Sequence, residues 1–390
     1  MGEWQEIALY KVAIINPTEL LRKDTKAKKI AMTILQPFTK KVPSYSIEEY
    51  HGGMKFRNGD TLVARITPCL ENGKTVFVDI LDDGEIGFGS TEYIVLREKQ
   101  DVSDKHFLYY FAISQEFRDV AIPSMTGSSG RQRVQTYVVR NHLFSLPPLP
   151  EQKAIASVLS SLDDKIDLLH RQNKTLEAMS ETLFRQWFVE ETQVDWEEIV
   201  ITDLFEIRDG THDSPKQSPA GKPLITSKHI GTNRLDIKNT YLISEDDFYN
   251  VNKRSKVETN DILFSMIGTI GLTYLEQTET VDYAIKNIGL FKTSQNPDWR
   301  YYTFLWINSS LGKEFIHEYR SGSTQEYIAL GSLRSIVFDA PPLSLLLEFN
   351  KVIHTYFEKI KNNMLQIRTL EKLRDTVLPK LMSGEVRVEV

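Results

Sequence analysis

The chain has 390 residues with 47 Lys+Arg against 53 Asp+Glu, 41% hydrophobic and 26% charged residues, and one cysteine. That length predicts two or three domains and the composition is that of an ordinary globular protein, while the lone Cys69 excludes an internal disulfide. Neither a signal peptide nor an apolar run of membrane-spanning length is present, so the expected location is the cytoplasm and no membrane is expected among the partners. Residues 1–150 carry 19 Lys+Arg and 18 Asp+Glu, a net of +1, whereas residues 195–340 carry 15 and 21, a net of −6. A protein held to nucleic acid by bulk charge is basic, so any nucleic-acid binding here must rely on local patches or on partner subunits.

In chain order, TLVARI, KTVFVDIL and EYIVLRE are β-branched, aromatic-rich runs between Gly and Asp clusters and predict strands. DKHFLYYFAISQEFRDVAI then predicts an amphipathic helix. A Pro-Pro-Leu at 147–149 opens a long heptad run, because proline suits the first helical turn and not the interior. DILFSMI, TIGLTYL and KNIGLFK predict a second set of strands, and DWRYYTFLWINSSLGKEFIHEY a second helix. Pro341-Pro-Leu343 opens a second long heptad run.

This order is an internal repeat. The first long run, from Pro147, is echoed 194 residues later from Pro341, with Leu149, Val158, Lys165, Ile166, Gln172, Leu176 and Glu177 matching Leu343, Val352, Lys359, Ile360, Gln366, Leu370 and Glu371. Trp4-Gln-Glu-Ile7 returns as Trp196-Glu-Glu-Ile199, Asn58-Gly-Asp60 as Thr259-Asn-Asp261, and Gly127-Ser-Ser129 as Gly322-Ser-Thr324. The expectation is a mixed α+β chain with two globular domains, residues 1–146 and 193–340. Two long helices, 147–192 and 341–384, follow them, and a tail at 385–390 returns to the first domain.

The seam of the first helix is Ile155, Leu159, Leu162, Ile166, Leu169, Asn173, Leu176, Ser180, Leu183 and Trp187. That of the second is Phe349, Ile353, Tyr356, Ile360, Asn363, Ile367, Leu370, Arg374, Val377 and Leu381. The second helix most economically runs back along the first, so the pair is expected to be antiparallel. A polar seam residue is costly without a partner. Setting Asn173 against Asn363 gives every pair the same partner sum, 536, and places Leu169 on Ile367, Leu183 on Ile353 and Trp187 on Phe349; Arg374, opposite Leu162, fits this register least well. Helices of about 40 residues are on the order of 60 Å long. Apolar residues flanking the seam, Val158, Met179 and Phe184 and their counterparts Val352, Leu373 and Leu378, are candidate docking positions for helices of other subunits.

These motifs carry a resemblance. PPLPEQKAIASVLSSLDDKIDLLHRQNKTLEAMSETLFRQWF, its weaker copy ending LPKLMSGEVRV, and the alternation of a variable unit with such a helix resemble the specificity subunit of type I restriction-modification enzymes over essentially the whole chain. The resemblance implies two target recognition domains, each reading half of a bipartite double-stranded DNA sequence, and helices that set the spacing and bind two methyltransferase subunits. Motor-nuclease subunits would join the same complex. It also implies a circular pseudo-twofold arrangement with the two termini meeting, and a non-catalytic chain without a cofactor of its own, S-adenosylmethionine and ATP being expected on the partners. The competing reading is a non-enzymatic scaffold with two ligand-binding domains on a coiled-coil rod.

The residues agree in lacking catalytic machinery. Asn72-Gly-Lys-Thr75 imitates the end of a phosphate-binding loop but has Pro68 where the first glycine belongs, Gly87-Phe-Gly-Ser90 is a weak nucleotide-turn pattern, and the histidines lack metal-ligand spacing. Candidate DNA-contacting residues lie on polar loops. Ser128, Ser129, Arg131, Gln132 and Arg133 form one, with Arg320, Ser323, Thr324 and Gln325 as its counterpart. Thr211, His212, Lys216, Ser227, Lys228 and His229 form a second. Arg65, Thr67, Asn72 and Lys74, with Ser265 and Thr269, form a third. Arginine can grip guanine O6 and N7, glutamine adenine N6 and N7, and hydroxyls and lysines can position phosphates. The basic cluster from Arg22 to Lys29 reads as a solvated face.

Overall fold

The computed structural model describes residues 3–191, 196–231, 233–322 and 326–389. The chain divides into two compact units, Met1–His170 with Met364–Val390, and Arg171–Asn363. Unit 1 and unit 2 are built to one plan.

In unit 1 a four-stranded antiparallel sheet runs in the order Ala13–Ile15, Tyr93–Glu98, Thr61–Ala64, Thr75–Phe77; unit 2 repeats it as Ile207–Asp209, Ile288–Phe291, Ile262–Ser265, Thr273–Leu275. The central strands are buried throughout, which is why Thr-Leu-Val-Ala and Ile-Leu-Phe-Ser are continuous apolar runs rather than alternating ones. A second sheet in each unit contains a parallel pair, Lys26–Ile30 beside Gly87–Gly89 and Lys222–Thr226 beside Ala284–Lys286. Gly87–Gly89 is thus a buried strand and not a nucleotide turn, and a Cβ on Gly89 would lie 2.5 Å from the Ile30 carbonyl oxygen. A two-stranded ribbon, Gln5–Ala8 with Leu143–Leu146, recurs as Glu197–Val200 with Val337–Ala340.

The expected single helix after these strands is two helices in each unit, Lys105–Ile113 and Gln115–Ala121, and Arg300–Asn308 and Ser310–Glu318. The break falls on Ser114 and Ser309, both extended. Each hydroxyl caps the next helix by accepting from the backbone N–H of Phe117 or Gly312. Serine competes with the helix in this way through its short side chain.

The repeated Asp of the strand-opening turn has a structural role. Asp60 and Asp261 are wholly buried. Asp60 accepts from the Arg57 N–H and takes both Nε and Nη2 of Arg97, each at 2.7 Å. Asp261 accepts from the Glu258 N–H and binds Lys292, the counterpart of Arg97. Burial raises the Asp60 pKa against the pull of Arg97, so the ion pair is what makes a carboxylate tolerable there.

The long helices are Leu149–Arg185, extended by a π-turn over Gln186–Glu190, and Leu343–Met382. Within unit 1, Ile166 and Leu169 pack with Met364, Ile367 and Leu370, and Ile155 and Leu159 share a core with Val377 and Leu381. Arg374 is buried and satisfied by Asp163 at 2.9 Å and by the Phe38 carbonyl at 3.3 Å. Within unit 2, Asn363 Nδ2 donates to Asn173 Oδ1 at 2.8 Å, both residues being buried, and the rings of Trp187 and Phe349 lie 5.6 Å apart. Asn363→Leu alone is expected to cost roughly 1–3 kcal/mol, since it strands a buried amide, and adding Asn173→Leu to recover most of it. Chemical denaturation of the two single variants and the double variant measures this.

At the chain's ends, in unit 1, Glu151 is nearly buried at the start of the first long helix and accepts from Trp4 Nε1 at 3.2 Å and from Arg387 Nη2 at 2.6 Å. The Arg387 guanidinium also lies 5.4 Å from the centre of the Trp4 ring. Arg387 holds the Glu151 carboxyl below its usual range.

Candidate nucleic-acid interface

In unit 1 two of the three candidate loops form one surface. Arg133 bridges both Thr126 and Ile66, the Thr67 N–H donates to the Gln132 carbonyl at 3.0 Å, and the Val134 N–H to the Arg65 carbonyl at 2.8 Å. Gly127 sits at φ +133° and Gly130 at φ +76°, where a side chain is strained, so the turn needs glycine at both places. Ser128, Ser129 and Arg131 on this turn are exposed and Gln132 is half-buried.

The arginines of this surface differ in what they are free to do. Arg65 and Arg133 both close on Glu92, at 3.2 and 2.8 Å. The Arg133 guanidinium, and Arg65 after it, hold the Glu92 carboxyl below its usual range despite partial burial. Arg131 has no ion-pair partner among the described residues. Glu92, invisible as a functional residue in the sequence, therefore splits three similar arginines into two that brace the loop and one that is presented. Thr67 Oγ1 donates to Glu71 at 2.8 Å and Lys74 Nζ to the Met32 carbonyl at 3.1 Å, so both serve the loop's own shape, while Asn72 is exposed. The Asn72–Thr75 motif closes here around Gly73, packed under Phe38.

Unit 2 repeats the framework with other chemistry. Ile267 bridges Tyr327 as Ile66 bridges Arg133, and Arg320–Ser321 pairs with Tyr327–Ile328. Arg65 is matched by the buried Met266 and Arg133 by the exposed Tyr327. Arg320 is exposed and meets Glu326 at 3.2 Å. Ser323, Thr324 and Gln325 lie outside the described residues. Ser265 is withdrawn as a contact: it is wholly buried, donates to the Thr269 carbonyl at 2.6 Å and accepts from the Leu272 N–H, which shapes the strand-end loop. Thr269 is exposed on that loop.

The remaining candidates of unit 2 gather around Asn287, the position that matches Glu92. Its side-chain oxygen is 2.9 Å from His212 Nδ1, its carbonyl accepts from Ser227 Oγ at 3.0 Å, and its N–H donates to the Thr211 carbonyl. His212 Nε2 is 2.8 Å from the buried Asp209, which also binds Arg254. His212, Lys216 and Lys228 are exposed and Thr211 is half-exposed. His229 is withdrawn: it is buried, its Nδ1 accepts from the Thr226 N–H in a capping box, and desolvation lowers its pKa, so it reaches no base edge. Ser227 is almost buried and committed to Asn287.

The seam-flanking positions also separate. Val158 and Met179, and their counterparts Val352 and Leu373, are 37–46% exposed. Phe184 is buried against Phe188, Tyr302 and Phe349 in the core of unit 2, and Leu378 packs on the core of unit 1. Both are withdrawn as docking positions, because that flank of each helix faces its own globular part. Of the basic cluster, Lys28 pairs with Asp82 and Glu85, and Lys29 with Glu48. Among the described residues no helix is long and apolar enough to cross a membrane.

Comparison with known proteins places this geometry. The sequence profile of the family described as the type I restriction modification DNA specificity domain matches residues 1–178 and again 193–374. The type I restriction enzyme MjaIX specificity subunit of Methanocaldococcus jannaschii is 25% identical over 328 residues, 75% of this chain and 71% of that one. The EcoAI specificity subunit of Escherichia coli is 30% identical over 209 residues, 50% of this chain and 35% of its own length. The crystal structure of a type I restriction-modification S subunit from M. genitalium superposes with a TM-score of 0.55 at 16% identity, over 97% of this chain and 96% of that chain.

Proposed function

Because the chain belongs to the type I restriction-modification DNA specificity family, we propose that it is the subunit that gives such a complex its DNA sequence, with residues 1–146 and 193–340 each reading one half of a bipartite double-stranded target. The chain is non-catalytic. The observation that carries this reading is the pair of matched loops. Ile66 bridges Arg133 in one unit and Ile267 bridges Tyr327 in the other, so the same framework carries different side chains beside its loop, as two different half-sites require.

In this reading Arg131, Gln132, Ser128, Ser129 and Asn72 face one half-site, and His212, Thr211, Lys216, Lys228, Thr269 and Arg320 face the other, with Ser323, Thr324 and Gln325 as further candidates by sequence. Arg65, Arg133 and Lys74 hold the loops that do so. The long helices Leu149–Arg185 and Leu343–Met382 set the distance between half-sites. Val158, Met179, Val352 and Leu373 form the apolar positions on which two methyltransferase subunits dock. S-adenosylmethionine then belongs to those subunits and ATP to motor-nuclease subunits, and the complex works in the cytoplasm.

The net charge of −6 over residues 195–340 makes the isolated chain a poor electrostatic match for a duplex. Alone it is expected to bind DNA weakly and lose binding steeply with salt; with methyltransferase subunits it is expected to bind its target tightly. Titration of labelled duplex with chain and with complex tests this, and a nanomolar, sequence-specific complex with the chain alone would contradict it.

A further inference from the structure

We propose that an arginine-lined cleft on the edge strand of unit 2 holds a phosphate of the DNA backbone, and so adds fixed local positive charge to this acidic half. The proposal rests on the DNA-reading role just given. The cleft, of about 600 Å³, is lined by Thr202, Glu206, Ile207, Arg208, Lys253, Arg254 and Arg334.

Its cations come from three separate places. Arg208 lies on the edge strand Ile207–Asp209, Lys253 and Arg254 end the helix Glu245–Ser255, and Arg334 ends the short helix Leu330–Arg334. The helix dipole accounts for cations in the last turn of one helix, but not for their convergence with arginines from two other elements. Two carboxylates accompany the four cations: Glu206 pairs with Arg208, and Asp209 with Arg254. The excess charge falls on Lys253 and Arg334. Lys253 is exposed and, among the described residues, bonds to Asn250 at 3.0 Å and lies over the Tyr249 ring. Arg334 gives Nε and Nη2 to the Ile207 carbonyl, which fixes the guanidinium and leaves Nη1 without a partner among the described residues. A fixed guanidinium and an exposed ammonium lining one cleft suit a phosphodiester oxygen pair.

The cleft is continuous with the candidate reading surface through one residue. Asp209 binds Arg254 on the cleft side and His212 on the loop side, so a strand tracked by His212 has its backbone next to the arginines. Unit 1 does not repeat this set of side chains in its sequence. At offsets of 192 and 194 it carries Tyr10, Ile14 and Asn16 for Thr202, Glu206 and Arg208, and only Arg140 repeats, as Arg334. The arginines at 208 and 254 thus belong to the acidic half, where charge compensation is needed.

The test uses the full chain assembled with its methyltransferase subunits, comparing wild type with Lys253→Gln and with Lys253→Gln/Arg334→Gln, after circular dichroism melts show both variants folded. Affinity is measured against salt for a target and a non-target duplex. The double variant is expected to lower the slope of log K against log salt by about 1 to 2 and to weaken both duplexes by a similar factor of about ten, with the methylated sequence unchanged. An unchanged slope would overturn the assignment. If the wild-type complex prefers no split sequence at all, the DNA-reading role itself fails; if it does and only the variants' slopes stay put, the cleft alone is misassigned. Inorganic phosphate at matched ionic strength provides the last arm. Stabilisation of wild type but not the double variant by phosphate, with identical DNA slopes, would assign the cleft to a free anion and overturn the backbone assignment.

Discussion

Replacing Arg131 by alanine is expected to erase base discrimination at one position of the half-site read by unit 1, while the other half-site stays as it was. The reasoning starts from what the neighbouring arginines are doing. Arg65 and Arg133 are committed to Glu92, so they cannot turn to a base without breaking an ion pair that also braces the loop. Arg131 directly follows Gly130, the second of two loop glycines at positive φ, is exposed and unpaired among the described residues, and carries the fork geometry that grips guanine. A bidentate arginine–guanine contact contributes about 1–3 kcal/mol of discrimination, roughly five- to 150-fold at that base. Mapping of methylated sites made by the variant complex is the measurement. An unaltered consensus with unaltered efficiency would remove Arg131 as the reader. Glu92→Gln provides the contrast: it loosens the loop rather than deleting a reader, so it is expected to lower methylation at the correct sequence without changing which base is preferred.

Arg374→Ala is expected to cost about 3–5 kcal/mol of unit 1 stability, the largest effect of any single change considered. The arginine reaches Asp163 at 2.9 Å, and Asp163 in turn accepts from the Tyr110 hydroxyl at 2.7 Å, with the buried Lys40 bonded to Ser160 at 2.7 Å beside it. Removing the guanidinium leaves a carboxylate that is 7% exposed without its main counter-charge. Lys40, whose pKa burial pushes down although Asp163 raises it, offsets part of the loss. Removing both charges by Asp163→Leu with Arg374→Met is expected to be far milder, because a buried pair replaced by apolar groups of similar volume is often close to neutral. Urea denaturation of wild type, single and double variants measures this. A loss below about 1 kcal/mol for Arg374→Ala would mean that the network carries little.

Much of this architecture was legible in the chain, and the reasons are physical. Buried central strands such as Thr61–Ala64 and Ile262–Ser265 are continuous apolar runs, and the repeat required each to have a counterpart. The partner sum of 536 brings together Leu169 with Ile367 and Trp187 with Phe349, since seam pairing is a matter of spacing. What spacing cannot show is direction across the helix. Phe184 and Met179 both flank the seam, but one lies in the unit 2 core and the other is 43% exposed, because the globular part covers only one flank. Arg374 read as a defect since its partner, Asp163, stands outside the seam on the other helix. Ser114 and Ser309 were hidden inside amphipathic periods that continue across the break, where a single hydroxyl capping the next turn outweighs the helical pattern.

The candidate interface was legible as loops and not as residues. Small residues with Arg and Gln mark a place where backbone can approach a ligand, and Gly127–Arg133 is such a place. Whether a polar side chain is offered or consumed depends on a partner that only the fold or the local turn supplies: Glu92, 41 residues away, for Arg133, and nearby backbone N–H groups of Thr226 for His229 and Leu272 for Ser265. In the arginine-lined cleft the sequence distance is greater still, since Arg208, Lys253 and Arg334 belong to three elements and none lies in a polar loop motif.

Methylation mapping of DNA from cells carrying this chain together with its methyltransferase subunits tests the central claim most directly. The account predicts one split sequence, two dissimilar specified blocks separated by a fixed number of unspecified bases, with Arg131→Ala altering a single base in one block only. A contiguous methylated sequence, or one in which Arg131→Ala changes both blocks, would contradict it.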